Sequence, residues 1–136
     1  MKSDDIFCRI VAGVIPSVKI WEDDEFLAIL DVFPNTEGQT LVIPKDHYDS
    51  DPTDMPDDKY CDLFLAAKEV AKLLKERLDV KRVAMVVEGI GVNHMHVKLY
   101  PLYGTGEGHL TTELGPQKST EELESVSEKI RTSLSS

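Results

Sequence analysis

The sequence predicts an α+β domain, a mostly antiparallel five-stranded sheet with helices packed on it. Three observations carry that prediction. Three short apolar runs between residues 17 and 44 are separated by an acidic turn and a Pro/Asn/Gly turn, and two more such runs occupy 81–102. Helical periodicity is confined to 5–13, 57–78 and the carboxyl end, so strands and helices do not alternate regularly. The chain has 136 residues, enough for one sizeable core and too few for two ordinary ones, which makes 1–136 a single domain.

The elements follow in order. In "DIFCRIVAG", 5–13, Ile6, Phe7, Ile10 and Val11 share a helical face and Gly13 suits the stop. "SVKIWE" and "EFLAILD" read as an antiparallel strand pair joined through Glu22–Glu25, and "QTLVIP" is a third strand that Pro44 ends. Over 57–78 the apolar stripe Tyr60, Leu63, Phe64, Ala67, Val70, Ala71, Leu74 predicts one amphipathic helix with Asp57 and Asp58 at its positive end. "KRVAMVVEG" and "VNHMHVKLYPL" are the fourth and fifth strands, with Glu88–Val92 as a glycine-bearing link. Residues 103–118 read as loop. Ser119 and Glu122 then form a capping box for a last helix with Leu123, Val126, Ile130 and Leu134 inside.

Lys plus Arg is 15 and Asp plus Glu is 25, a formal charge of −10, and no basic stripe offsets it. That excludes nucleic acid as the expected partner but leaves room for a small anion at a local cluster. No apolar run approaches the length of a membrane span, and "MKSDDIFCRI" lacks signal-peptide character. Cys8 and Cys61 have no CxxC spacing, so a reduced, cytoplasmic protein is the expectation.

Alternation along 92–102 assigns Met95, Val97 and Leu99 to the core and His94, His96 and Lys98 to the opposite face. A lone histidine is more often incidental than functional. Two histidines and a lysine in strict alternation within an apolar run can instead meet a phosphate, a neutral imidazole attacking phosphorus while cations stabilise its oxygens. Imidazole attack needs one ring nitrogen unprotonated and the other held, commonly by a backbone carbonyl.

The segment His94-Met95-His96-Val97-Lys98-Leu99-Tyr100 resembles the histidine triad (HIT) signature, His-Φ-His-Φ-His-Φ-Φ with Φ apolar. "DIFCRIVAGVIPSVKIWEDDEFLAILDV" and "GQTLVIPKDH" are similar to the amino-terminal half of Hint-like HIT proteins, so the likeness covers about 4–102 and leaves 103–136 as a carboxyl-terminal loop and helix. The resemblance implies a nucleotide-binding α+β domain that pairs into a homodimer. It also implies hydrolysis or transfer of a nucleoside monophosphate through a nucleotidylated histidine, as in nucleotide phosphoramidases and dinucleoside polyphosphate hydrolases. It makes His96 the nucleophile, facing a nucleotide cleft, and His94 the residue whose carbonyl orients it. Asp31 would bind ribose, and Ile6, Phe7, Ile10, Ile29 and Val32 would pocket the base. Each of these five is equally well read as core, and Asp31 as a turn cap.

Three departures accompany the resemblance. Lys98 stands for the third histidine, and Gln39 for a further family histidine; the expected coupling has the Gln39 amide oxygen accepting from the Lys98 ammonium. The glycine-rich segment before the triad is short, leaving Asn93 as a substitute donor, although its place in the alternation points it to the other face. Lysine keeps a charge at the phosphate but shuttles a proton less easily than histidine. A nucleotide-binding protein with reduced turnover is therefore the alternative to an enzyme, and a structural dimer module is a third. No cofactor is required by the reading. Zinc is a candidate by resemblance to relatives with an amino-terminal CxxC, with Asp5, Cys8 and His47 as ligands and a fourth unidentified.

Overall fold

In the computed structural model, which describes residues 5–104, 110–111 and 113–131, five strands form one sheet in the order β1-β2-β3-β5-β4. Helix α1 spans Ile6–Val11, β1 Lys19–Glu22, β2 Phe26–Leu30 and β3 Thr40–Pro44. Helix α2 spans Asp57–Leu78, β4 Arg82–Val86, β5 Val97–Leu102 and α3 Thr120–Arg131. Every paired neighbour is antiparallel, as expected.

Asp23 fixes the first hairpin, its Oδ1 accepting from the Glu25 and Phe26 amides. Alternation then sorts β2. Phe26, Ala28 and Leu30 join Val42, Val97, Leu99 and the apolar stripe of α2 in the larger core. Leu27 and Ile29 face the other way, onto Phe7 and Ile10 of α1 with Leu41 and Ile43. The sheet is thus sandwiched, α2 and α3 on one face and the short α1 on the other. Helix α2 carries Asp57 and Asp58 in its first turn and Lys75 and Arg77 in its last, and ends at Asp79 in the left-handed conformation. Tyr60, placed on the buried stripe by periodicity, is exposed and leans on Phe64 instead. The capping box is present, the Glu122 amide donating to Ser119 Oγ at 3.1 Å and the Ser119 amide to Glu122 Oε1 at 3.3 Å. Leu134 and His109 lie outside the described residues.

The fifth strand is shorter than expected. It begins at Val97, so His94 and His96 precede it. The cause lies in its neighbours. Pro44 ends β3 without an N–H to offer. The Met95 amide donates to the Tyr48 carbonyl, and Asn93 is tied to Asp49 and Ser50. Alternation nevertheless persists through the irregular segment, Met95 packing with the larger core and both histidine rings turning to Phe7.

Candidate active site

His94, His96 and Lys98 do share a face, as the spacing predicts, and all three are buried. His96 Nδ1 lies 2.7 Å from the His94 carbonyl. A carbonyl only accepts, so the proton sits on Nδ1 and Nε2 keeps its lone pair, with no hydrogen-bond partner among the described residues. Burial lowers the His96 pKa below the ordinary imidazole value and the Lys98 charge adds to that, while the bond to His94 opposes them. The neutral, nucleophilic form is the favoured one. The expected open cleft is not seen at this ring: His96 is 4 % exposed and stands edge-on to Phe7, centroids 5.2 Å apart, so α1 roofs it.

His94 is fixed from the other side. Its Nε2 donates to the Pro44 carbonyl at 2.9 Å, and Nδ1 lies 3.2 Å from Asp5 Oδ2 and 3.4 Å from Cys8 Sγ. His47 Nδ1 stands 3.0 Å from the same Asp5 oxygen and 3.9 Å from Cys8 Sγ. The four donor atoms of Asp5, Cys8, His47 and His94 all lie within 4.8 Å of one another. Tetrahedral zinc with bonds of about 2.0–2.3 Å separates its donors by roughly 3.4–3.8 Å, so this donor set fits such an ion. The outer contacts fit too, because His47 Nε2 faces Asp49 Oδ1 at 3.1 Å, the arrangement that orients a metal-binding imidazole. Asp5 serves twice: its Oδ1 caps α1 through the Cys8 amide at 2.8 Å while Oδ2 points into the cluster. The fourth donor of this cluster, which the sequence reading left unidentified, is His94.

With this geometry in hand, the likeness to known proteins is decisive: the HIT domain family matches residues 12–104. The chain belongs to the HIT family. It is 40 % identical over 108 residues to an uncharacterised HIT-like protein of Methanocaldococcus jannaschii, covering 75 % of this chain and 82 % of that one. It is 33 % identical over 131 residues to the adenosine 5′-monophosphoramidase of Schizosaccharomyces pombe, covering 93 % of this chain and 98 % of that one. A crystal structure of a zinc-bound histidine triad family protein from Mycobacterium smegmatis superposes with a TM-score of 0.79 at 28 % identity, covering 97 % of this chain and 94 % of that one.

The rest of this HIT site departs from the sequence reading. Lys98 does not meet Gln39. Its Nζ lies 3.5 Å from Glu88 Oε1, while Gln39 donates from Nε2 to Asp31 Oδ2 at 2.8 Å and accepts at Oε1 from the Asn35 amide at 2.7 Å. The reason is register. Leu41 opposes Lys98 and Leu30 opposes Thr40, so Gln39 sits one row further along, beside Asp31. Asp31 also caps the turn, its Oδ1 accepting from the Phe33 amide at 2.9 Å. Asn93 spends its amide on the Ser50 amide and Asp49, away from the row. Of the five apolar candidates, Phe7, Ile10 and Ile29 are packed together in the smaller core, whereas Ile6 and Val32 are exposed.

Two residues of the face escaped notice. Glu88 is one. Tyr100 is the other: it is fully buried, its hydroxyl has no partner among the described residues, and burial, then Asp31 and Glu88, raise its pKa. Tyr100 was visible as the next residue of the alternation after Lys98. Glu88 had no local signal. Gly89, in the left-handed conformation at φ +72°, brings its backbone against Ser50, whose hydroxyl donates to the Gly89 carbonyl at 2.6 Å.

Proposed function

We propose that this HIT protein hydrolyses or transfers the nucleoside monophosphate of a nucleotidylated substrate, such as a phosphoramidate or dinucleoside polyphosphate, through a covalent intermediate on His96. The supporting observation is the 2.7 Å bond from His96 Nδ1 to the His94 carbonyl, which presents Nε2 unprotonated. In the first step Nε2 attacks the α-phosphorus, a P–N bond forms, the bond to the leaving group breaks, and the Lys98 ammonium gives it a proton. In the second, water attacks the phosphorus, the P–N bond breaks, the monophosphate departs, and the proton from water restores the ammonium. Asp31 serves the ribose, and Ile6, Phe7, Ile10, Ile29 and Val32 the base. The activity named for the fission-yeast relative supports this substrate class. A homodimer in the cytoplasm is the working assembly.

We also propose a zinc ion held by Asp5, Cys8, His47 and His94, with Asp5 in the place of the first cysteine of the CxxC that such relatives carry. When bound it cross-links α1 to the segment before β5 and so stiffens the carbonyl on which His96 depends. The donor geometry and the zinc-bound mycobacterial relative support it.

A second reading, nucleotide binding with reduced turnover, is favoured by one observation: Gln39, which donates to Asp31 and accepts from the Asn35 amide, is a neutral carboxamide with no titratable proton to give a leaving group. Incubation with a labelled adenylyl donor, acid-sensitive quench analysis and peptide mapping separate the two. The enzyme reading expects an acid-labile adenylyl adduct on His96 that His96→Ala abolishes together with turnover. Tight AMP binding without an adduct leaves the second reading, and no affinity for nucleotides at all leaves only a structural module.

A further inference from the structure

We propose that Glu88 is the positioning residue for Lys98, and that the pair turns the site toward a singly charged, esterified α-phosphate and away from the free nucleoside monophosphate. The proposal rests on the nucleotide reading above and names what such a site prefers.

Lys98 Nζ lies 3.5 Å from Glu88 Oε1, and the two side chains are 11 % and 25 % exposed. Pairing of Val86 with Lys98 carries Glu88, two residues further on, to the level of His96. The carboxylate therefore stands beside Lys98 and at the level of His96, the two groups that a phosphate would meet. A long, flexible lysine needs such a partner, because its four-carbon stem leaves the ammonium undirected without one.

The carboxylate also alters what the ammonium attracts. A bare cation beside a neutral imidazole draws a phosphate more strongly the more charge it bears, so the dianionic monophosphate product would outbind the monoanionic ester substrate. Glu88 cancels that cation and repels each phosphate charge in turn, which penalises the dianion twice. The pair thus keeps a directed proton donor while limiting retention of product.

The test compares wild type with Glu88→Gln and Glu88→Asp. Calorimetry measures AMP affinity, steady-state kinetics measure turnover of adenosine 5′-phosphoramidate, and circular dichroism checks folding. Glu88→Gln should bind AMP roughly three- to tenfold more tightly, as expected for one charge removed at short range, and turn over substrate at least about tenfold more slowly. Glu88→Asp should keep wild-type AMP affinity, since the charge remains, and still lose turnover, since its reach is shorter. Unchanged or weaker AMP binding in folded Glu88→Gln would overturn the proposal, because loss of turnover alone is what any structural role would give. Failure of wild type to bind either nucleotide would instead remove the nucleotide reading itself.

Discussion

Two ends of one short segment, residues 94–96 and residues 98–100, face the same side of the sheet but are built on different principles. At the first end backbone atoms do the organising: the Pro44 carbonyl accepts from His94 and the His94 carbonyl sets the tautomer of His96. At the second end the organisers are side chains, Glu88 holding Lys98 while the Tyr100 hydroxyl has no partner among the described residues. A carbonyl is present whatever residue carries it, so the first end keeps its geometry through sequence change. Side-chain partners hold only while both residues of the pair are kept.

The contrast is broken most severely at the first end by testing the proposed zinc ion. Purified protein is expected to hold one zinc per chain, and Cys8→Ser or chelation to strip it. A ligand at about a thousand times its dissociation constant stabilises the folded state by about 4 kcal/mol. For a domain of this size that corresponds to a fall in Tm of roughly 10 °C. Metal-free protein from a zinc-supplemented preparation, with a Tm indifferent to chelator, would mean that hydrogen bonds alone organise this end.

The second end is probed by restoring histidine at both altered positions, Gln39→His with Lys98→His. If proton transfer is what this end has lost, turnover of an adenylyl phosphoramidate rises by about a hundredfold, the lower range for a well-placed general acid–base group. A flat response means that lysine already performs the transfer and that Glu88 is its proper partner. The double variant also forfeits the Gln39 bonds to Asp31 and Asn35, so its Tm is measured alongside.

What was legible in the sequence follows the same division. Local signals placed α2 at Asp57–Leu78, sorted each strand's faces and put His94, His96 and Lys98 together, because periodicity and capping are properties of neighbouring residues. The likeness in sequence suggested roles for His94 and His96, and the structure holds His96 Nδ1 2.7 Å from the His94 carbonyl. Contacts made by register were not legible. Gln39 and Lys98 are one row apart because of how β3 meets β5, and no residue pattern states that offset. The likeness grouped Asp5, Cys8 and His47, but no residue pattern showed that His94 joins them, since α1, the segment after β3 and the approach to β5 meet only in the folded chain. The start of β5 was misplaced for the same reason, the deciding bonds coming from Tyr48, Asp49 and Ser50.

Tyr100→Phe offers the smallest effect and the sharpest view of the contrast. The ring is fully buried and its hydroxyl has no partner among the described residues, and an unsatisfied buried hydroxyl costs about 1–3 kcal/mol against water. Phenylalanine keeps the ring and its packing while deleting that group. Chemical denaturation of the ligand-free protein should therefore show stability unchanged or raised by up to about 1 kcal/mol, where most buried substitutions lower it. A loss of more than about 1 kcal/mol would mean that the hydroxyl finds a partner in solution, an ordered water being the simplest. The far end of the row would then be as fully satisfied as the near end, and the division between a backbone-organised half and a side-chain-organised half would have to rest on Lys98 and Glu88 alone.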